Sequence, residues 1–226
     1  KIDAESRGAA DHGWLQARHT FSFADYQDPK RIQFGPLRVV NEDRIAPGKG
    51  FGTHPHRDME IVTYPISGAI EHKVSMGNGT EITAGEVQRM TAGTGVQHIE
   101  FNHSESEELH RLQIWLFPER DNLEPGYEQT HFSRDEKLNR LRLVASRDGR
   151  DGSVTVHQAV DLYASILEAG KTIEHDTNAA NKIFVQVIDG EIAVNGYQAR
   201  QGDGLQIENE AILKIDALKD SECLLL

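Results

Sequence analysis

The sequence predicts an all-β protein, a barrel or sandwich in each of two related domains. Three features predict it. Short β-rich runs alternate with glycine turns, and no long stretch repeats its apolar residues at the 3.6-residue period of a helix. A polar, turn-rich stretch from Pro118 to Asn139 divides the chain into 1–120 and 121–226. The two halves also echo one another at about 120 residues' spacing.

Taken in order, the alternation of His19, Phe21 and Phe23 predicts a short strand with one aromatic face. Trp14, Phe21, Phe23 and Tyr26 read as core anchors, and His12 and His19 as structural or exposed. Leu37 to Ile45 is the next strand, closed by Pro47-Gly48. Glu60 to Ile66 and Ala69 to Val74 lie at hairpin distance across Ser67-Gly68, and Gly77-Asn78-Gly79 marks a further turn. Ile82 to Gly85 leads into Glu86 to Met90, and Arg111 to Phe117 is a strongly apolar strand. Strands resume from Leu141, with hairpin turns at Asp189-Gly190 and Asn195-Gly196. Ala169-Gly170-Lys171 echoes Pro47-Gly48-Lys49, and Asp189-Gly190 falls where Ser67-Gly68 fell.

Nearly all the metal-competent chemistry sits between Gly48 and Glu100. One end reads Gly-Phe-Gly-Thr-His-Pro-His-Arg-Asp-Met-Glu (Gly50 to Glu60), the other Met-Thr-Ala-Gly-Thr-Gly-Val-Gln-His-Ile-Glu (Met90 to Glu100). Each places two candidate ligands at i and i+2, His54 with His56 and His98 with Glu100. In a strand such residues share a face, about 7 Å apart along the chain. Two such strands side by side bring three imidazoles and a carboxylate to one point. That donor set suits a divalent transition metal (Fe, Mn, Co, Ni, Cu or Zn) rather than Mg or Ca, whose sites are built from oxygen. Four protein ligands in an octahedral shell leave two positions open, which is a catalytic layout. The second half has Glu174-His175-Asp176 in place of His-Pro-His and Leu205-Gln-Ile-Glu208 in place of His98-Ile-Glu100, so it reads as metal-free.

Composition narrows the class. Net charge is -12 with no long single-sign block, which argues against nucleic acid as a direct partner. No segment is apolar enough for a membrane span, and the opening residues Lys1 to Gly8 hold no apolar run of the kind a signal peptide carries. Cys223 is the single cysteine, so there is no intrachain disulfide and no thiolate zinc site. A cytoplasmic protein fits these features.

The His-Pro-His-Arg-Asp-Met-Glu and Met-Thr-Ala-Gly-Thr-Gly-Val-Gln-His-Ile-Glu runs resemble the two signature stretches of the pirins, a branch of the cupin superfamily. The segment Trp-Leu-Gln-Ala-Arg-His-Thr-Phe-Ser-Phe-Ala-Asp-Tyr (Trp14 to Tyr26) is similar to pirin N-termini. The resemblance spans the whole chain. It implies a bicupin, two double-stranded, jelly-roll-like β-barrel domains packed together, whose N-terminal barrel alone holds a metal, through His54, His56, His98 and Glu100, with iron the first candidate. Like the pirins, the chain departs from general cupin spacing: Glu60 is followed by seven residues before Gly68 rather than six. Glu60 therefore reads as a strand residue or one that hydrogen-bonds a ligand histidine.

The resemblance further implies a quercetin 2,3-dioxygenase activity. A flavonol is opened by O2 to a depside with release of carbon monoxide, and Glu100 serves as both ligand and catalytic base. The alternative is an iron-dependent, redox-sensing regulator acting through a protein partner; a sugar isomerase or other small-molecule cupin is a third reading. Met59, Phe51 and Phe101 border the ligand pairs, and Asn102 follows Glu100 at i+2, so these are candidates for a cavity wall. His72, His103, His110, His131 and His157 take surface or core positions on this reading. A monomer is expected, since two fused barrels can cover each other's faces.

Overall fold

The computed structural model describes residues 1–75, 77 and 79–226, so the turn expected at Gly77-Asn78-Gly79 lies partly outside the described residues. Packing groups them into two units: Gly8–His131 with Arg147–Ala159, and Lys1–Arg7 with Phe132–Ser146 and Val160–Leu226.

In the first unit the strands are β1 (Gly8–Asp11), β2 (Leu15–His19), β3 (Leu37–Ile45), β4 (Gly50–His56), β5 (Glu60–Ser67), β6 (Ala69–Val74), β7 (Gly79–Thr83), β8 (Glu86–Thr91), β9 (Val96–Asn102), β10 (Leu109–Leu116) and β11 (Gly126–His131). A seven-stranded sheet runs β1-β2-β3-β10-β5-β8-β11, and a four-stranded sheet runs β4-β9-β6-β7. Side chains of β9 and β10 meet across the interior, where Arg111 grips Glu100.

The inner face of the large sheet is layered. Leu15, Ile45 and Leu109 lie in one register row and pack with Ile70 and Ile82 of the small sheet. Trp115, Ile61 and Met90 form another apolar row, against Val74 and Val96. Between them runs a polar row, His19–Asn41–Gln113–Thr63–Gln88–Gln129, in which each residue is the register partner of the next. Period-two alternation along each strand carries a residue type chosen at one strand into line with its neighbours.

Two expectations need correction. The strand expected over His19 to Phe23 ends at His19; Phe21 is core, while Phe23 pairs with Tyr26 in a turn that includes Ala24 at φ 48°. The stretch read as a connection contains β11, which pairs with β8 from Gly126↔Thr91 to His131↔Glu86. Its glutamates and glutamine hid it, because an edge strand keeps one side toward water and shows little apolar patterning.

The second unit repeats the plan. Leu162–Leu167, Ser221–Leu225, Lys182–Asp189 and Gly204–Glu208 lie in the order of β3-β10-β5-β8, and Thr172–Asp176, Ile212–Ala217, Glu191–Val194 and Tyr197–Arg200 in the order of β4-β9-β6-β7. The hairpin glycines Gly68 and Gly190 have φ of 80° and 77°, a left-handed conformation that a side chain would strain. This topology also corrects a correspondence: the counterpart of β9 is Ile212–Ala217, not the strand bearing Leu205 to Glu208. Leu213 and Ile215 are buried in an apolar cluster there.

Candidate metal centre

β4 and β9 are antiparallel neighbours, with His54 directly opposite His98 and His56 opposite Val96. The register shifts between Phe51 and His54, so Phe51 stands opposite Glu100 while Gly52 and Thr53 bulge toward solvent. Gly50 is required for this approach: a Cβ there would lie 2.2 Å from the Glu100 carbonyl oxygen and 2.5 Å from the Phe101 Cα. On the other side of β9, β6 places His72 opposite Glu100 and Val74 opposite His98.

The imidazoles converge. His54, His56 and His98 each offer a ligand atom within 4.8 Å of the others, and so do His72, His98 and Glu100. The contacts of their ring nitrogens limit which tautomers are present. His54 Nδ1 donates to the Gly52 carbonyl at 2.8 Å, which leaves Nε2 bare. His98 Nδ1 lies 2.7 Å from His72 Nε2; when His98 Nδ1 carries the proton and donates it to His72, His98 Nε2 is bare as well. The Nε2 atoms of His54 and His98 face each other at 2.8 Å.

In that tautomer the two nitrogens cannot bond to one another, but they can share a cation. Adjacent ligand nitrogens about 2.1 Å from one ion and about 90° apart sit about 3 Å from each other, so the spacing fits a metal. Burial, reinforced by the charge of His54, pulls His56 down to about 4; burial is also the main cause that pulls His98 down to about 3. Burial lowers His72 too. All three are therefore neutral near pH 7, the form a metal binds.

Glu100 is held from behind. Arg111 Nη1 and Nη2 donate to its two oxygens at 2.7 and 3.1 Å, and Gln113 Nε2 lies 3.2 and 3.1 Å from the same pair. Trp115 Nε1 donates to Gln113 Oε1 at 3.2 Å, which turns the amide NH2 toward Glu100. Burial alone would raise the Glu100 carboxyl; the Arg111 guanidinium, helped by His98 and His72, outweighs it and keeps the group well below the usual carboxylate range. Asp43, which faces Arg111 Nε at 3.4 Å, is pushed up by burial.

These groups open into a cavity of about 590 Å³. His54, His56, Glu100, Arg111 and Gln113 line it together with Phe51, Trp115, Phe23 and Tyr26. His12 and His19, read as structural or exposed, are also in its wall. Met59 and Phe101 are not among its lining residues, and Asn102 instead ties the Ile45 and Glu107 carbonyls. Glu60 does not reach a histidine of the cluster: its Oε2 accepts from the backbone N of His157 at 3.1 Å and faces His157 Nδ1 at 3.3 Å. Sequence reasoning missed His72, Arg111 and Gln113. Arg111 and Gln113 alternate with Leu112 and Ile114, and that polar period-two face was the available signal.

A family model described as Pirin matches residues 3–116, and one described as the quercetinase C-terminal cupin domain matches residues 143–226. The quercetin 2,3-dioxygenase of Escherichia coli (strain K12) is 47% identical over 222 residues, which cover 98% of this chain and 95% of the relative. The chain belongs to the pirin family. A crystal structure of a bacterial pirin from Escherichia coli in complex with nickel(II) matches this pirin with a TM-score of 0.95 at 46% identity, covering 99% of this chain and 96% of that one. A quercetin 2,3-dioxygenase structure from Acinetobacter baumannii, at 23% identity and a TM-score of 0.78, shares the fold. This pirin is a bicupin, and its histidine and glutamate cluster fits a divalent metal ion. Among the described residues no helix is long and apolar enough to cross a membrane.

Proposed function

We propose that this pirin is a cytoplasmic, metal-dependent dioxygenase that opens the flavonol ring of quercetin-like substrates with O2. One observation carries the reading: the Nε2 atoms of His54 and His98 face each other at 2.8 Å, and His54 lines a cavity whose exposed wall is largely aromatic and aliphatic. About 590 Å³ is within the range of pockets for small organic ligands. The names and near-complete coverage of the relatives support it.

His54, His56, His98 and Glu100 would hold the metal, with iron or nickel the first ions to try. When bound, the metal acts as a Lewis acid that makes the flavonol 3-hydroxyl acidic and presents the substrate to O2. Glu100 would complete the ligand set, and its Gln113 contacts, at 3.1 and 3.2 Å, are longer than its 2.7 Å bond from Arg111. Its carboxylate is ionised but, paired with Arg111, is a weak base, so it accepts a proton only from a hydroxyl already made acidic. Phe51, Phe23 and Trp115 flank the planar substrate and exclude water. His72 does not touch substrate; it fixes the proton of His98 on Nδ1.

The test is aerobic loss of flavonol absorbance by protein reconstituted separately with Fe, Mn, Co, Ni and Cu, with Glu100→Ala as control. Metal-dependent loss that disappears in the control is the expected result. Bound metal without turnover for any ion would overturn the dioxygenase and move the reading to a redox-sensing regulator.

A further inference from the structure

The polar row inside the large sheet divides into two parts at β10. Gln113 and Arg111 are committed to Glu100. Beyond them, Asn41 is the register partner of both Gln113 and His19, and Asp43 is the partner of both Arg111 and Ala17. His19, Asn41 and Asp43 are 6%, 3% and 5% exposed, and all three line the cavity.

The hydrogen-bonding capacity of His19 and Asn41 is unused, and that of Asp43 only partly used. Among the described residues the side chains of His19 and Asn41 make no hydrogen bond, and His19 Nδ1 and Asn41 Oδ1 are closed off from water without a partner. Asp43 has the one 3.4 Å contact with Arg111. Burying such groups unmatched costs stability, and packing does not demand them, since the neighbouring row uses Leu15, Ile45 and Leu109 at the same strands. Polar groups that a fold buries, leaves unmatched and places in a cavity wall are matched by what enters the cavity.

We propose that His19, Asn41 and Asp43 form a subsite for phenolic hydroxyls remote from the hydroxyl that faces the metal, so that the ligand class is polyhydroxylated. The proposal rests on the flavonol reading above. Asp43 accepts a phenolic O–H, and the Asn41 amide and His19 imidazole each offer a donor and an acceptor to a group that is itself both. Ala17, Leu15 and Phe23 in the same wall contact the ring. A site built to bond hydroxyls rejects the analogue lacking them far more strongly than an apolar wall rejects an extra hydroxyl.

The experiment is anaerobic equilibrium binding of quercetin and of 3-hydroxyflavone, which lacks the remote hydroxyls, to nickel-loaded protein. The wild type is expected to prefer quercetin by about 10-fold or more. Asn41→Leu and His19→Phe should each cut that preference at least about 5-fold. Because the readout is a ratio of affinities within one protein, a general loss of stability cancels. An unchanged preference in both variants, or equal affinity of the wild type for both flavonols, overturns the subsite and leaves the dioxygenase reading standing. Absence of binding by either flavonol overturns both.

Discussion

His72 Nε2 lies 2.7 Å from His98 Nδ1, at the bottom of the site and out of reach of solvent. The His72 ring is stacked on Tyr127 at 5.7 Å between centroids and cannot swing away easily. By accepting a proton from His98 Nδ1 it would leave His98 Nε2 free for a metal. His72→Phe should keep the β fold and lower metal affinity about 10–100-fold, read by competition with a chelator. His72→Gln, which can still accept the proton through its amide oxygen, should restore part of that loss. Equal affinity in all three proteins would show that the contact does not orient His98.

His54→Ala or His98→Ala should abolish metal binding and turnover together while leaving the far-UV circular dichroism unchanged. The apolar rows on either side of the site pack without the ion, so folding does not depend on it. Unfolding of either variant at room temperature would make the metal structural and defeat the open-site argument.

Arg111 is the largest fully buried side chain in the protein's described residues and neutralises Glu100 while contacting Asp43. Arg111→Met leaves two buried carboxylates without their cation and is expected to destabilise the fold by about 3–5 kcal/mol in urea unfolding. Arg111→Lys should recover little, because an ammonium cannot bond both Glu100 oxygens in the planar, two-pronged way. A loss below about 1 kcal/mol for Arg111→Met would show that the carboxylates find other partners.

The metal-free protein should lose stability as pH falls below about 6.5. His56 and His98 have folded values pulled down to about 4 and about 3, from an ordinary 6.5. Between those limits the unfolded chain binds protons that the native state refuses, so stability rises with pH there and is lost as pH drops. The depressed Glu100 carboxyl adds a loss of the same sign, beginning nearer its ordinary value of 4.5. Thermal melts from pH 7.5 to 4 should show a falling Tm, with the upper part of the fall flattened in a His56→Gln, His98→Gln double variant. An identical slope in that variant would assign the acid sensitivity to other groups.

The sequence by itself determined the all-β class, the doubled architecture, and the presence of two candidate ligand pairs each on one strand face. All of these are local: alternation, hairpin glycines and i, i+2 spacing are properties of a few consecutive residues, and a strand's pleat alone puts His54 with His56 and His98 with Glu100. Only the tertiary structure decided that His54 stands opposite His98, because that register depends on a bulge at Gly52 and Thr53 and on which strand lies beside β4. The same holds for Arg111 behind Glu100, for His72 beneath His98, for the turn of Glu60 toward His157, and for the cavity wall drawn from His12, His19, Phe23 and Tyr26. Sheet neighbours come from distant parts of the chain, and nothing in a short window of sequence says which two strands will pair or in what register.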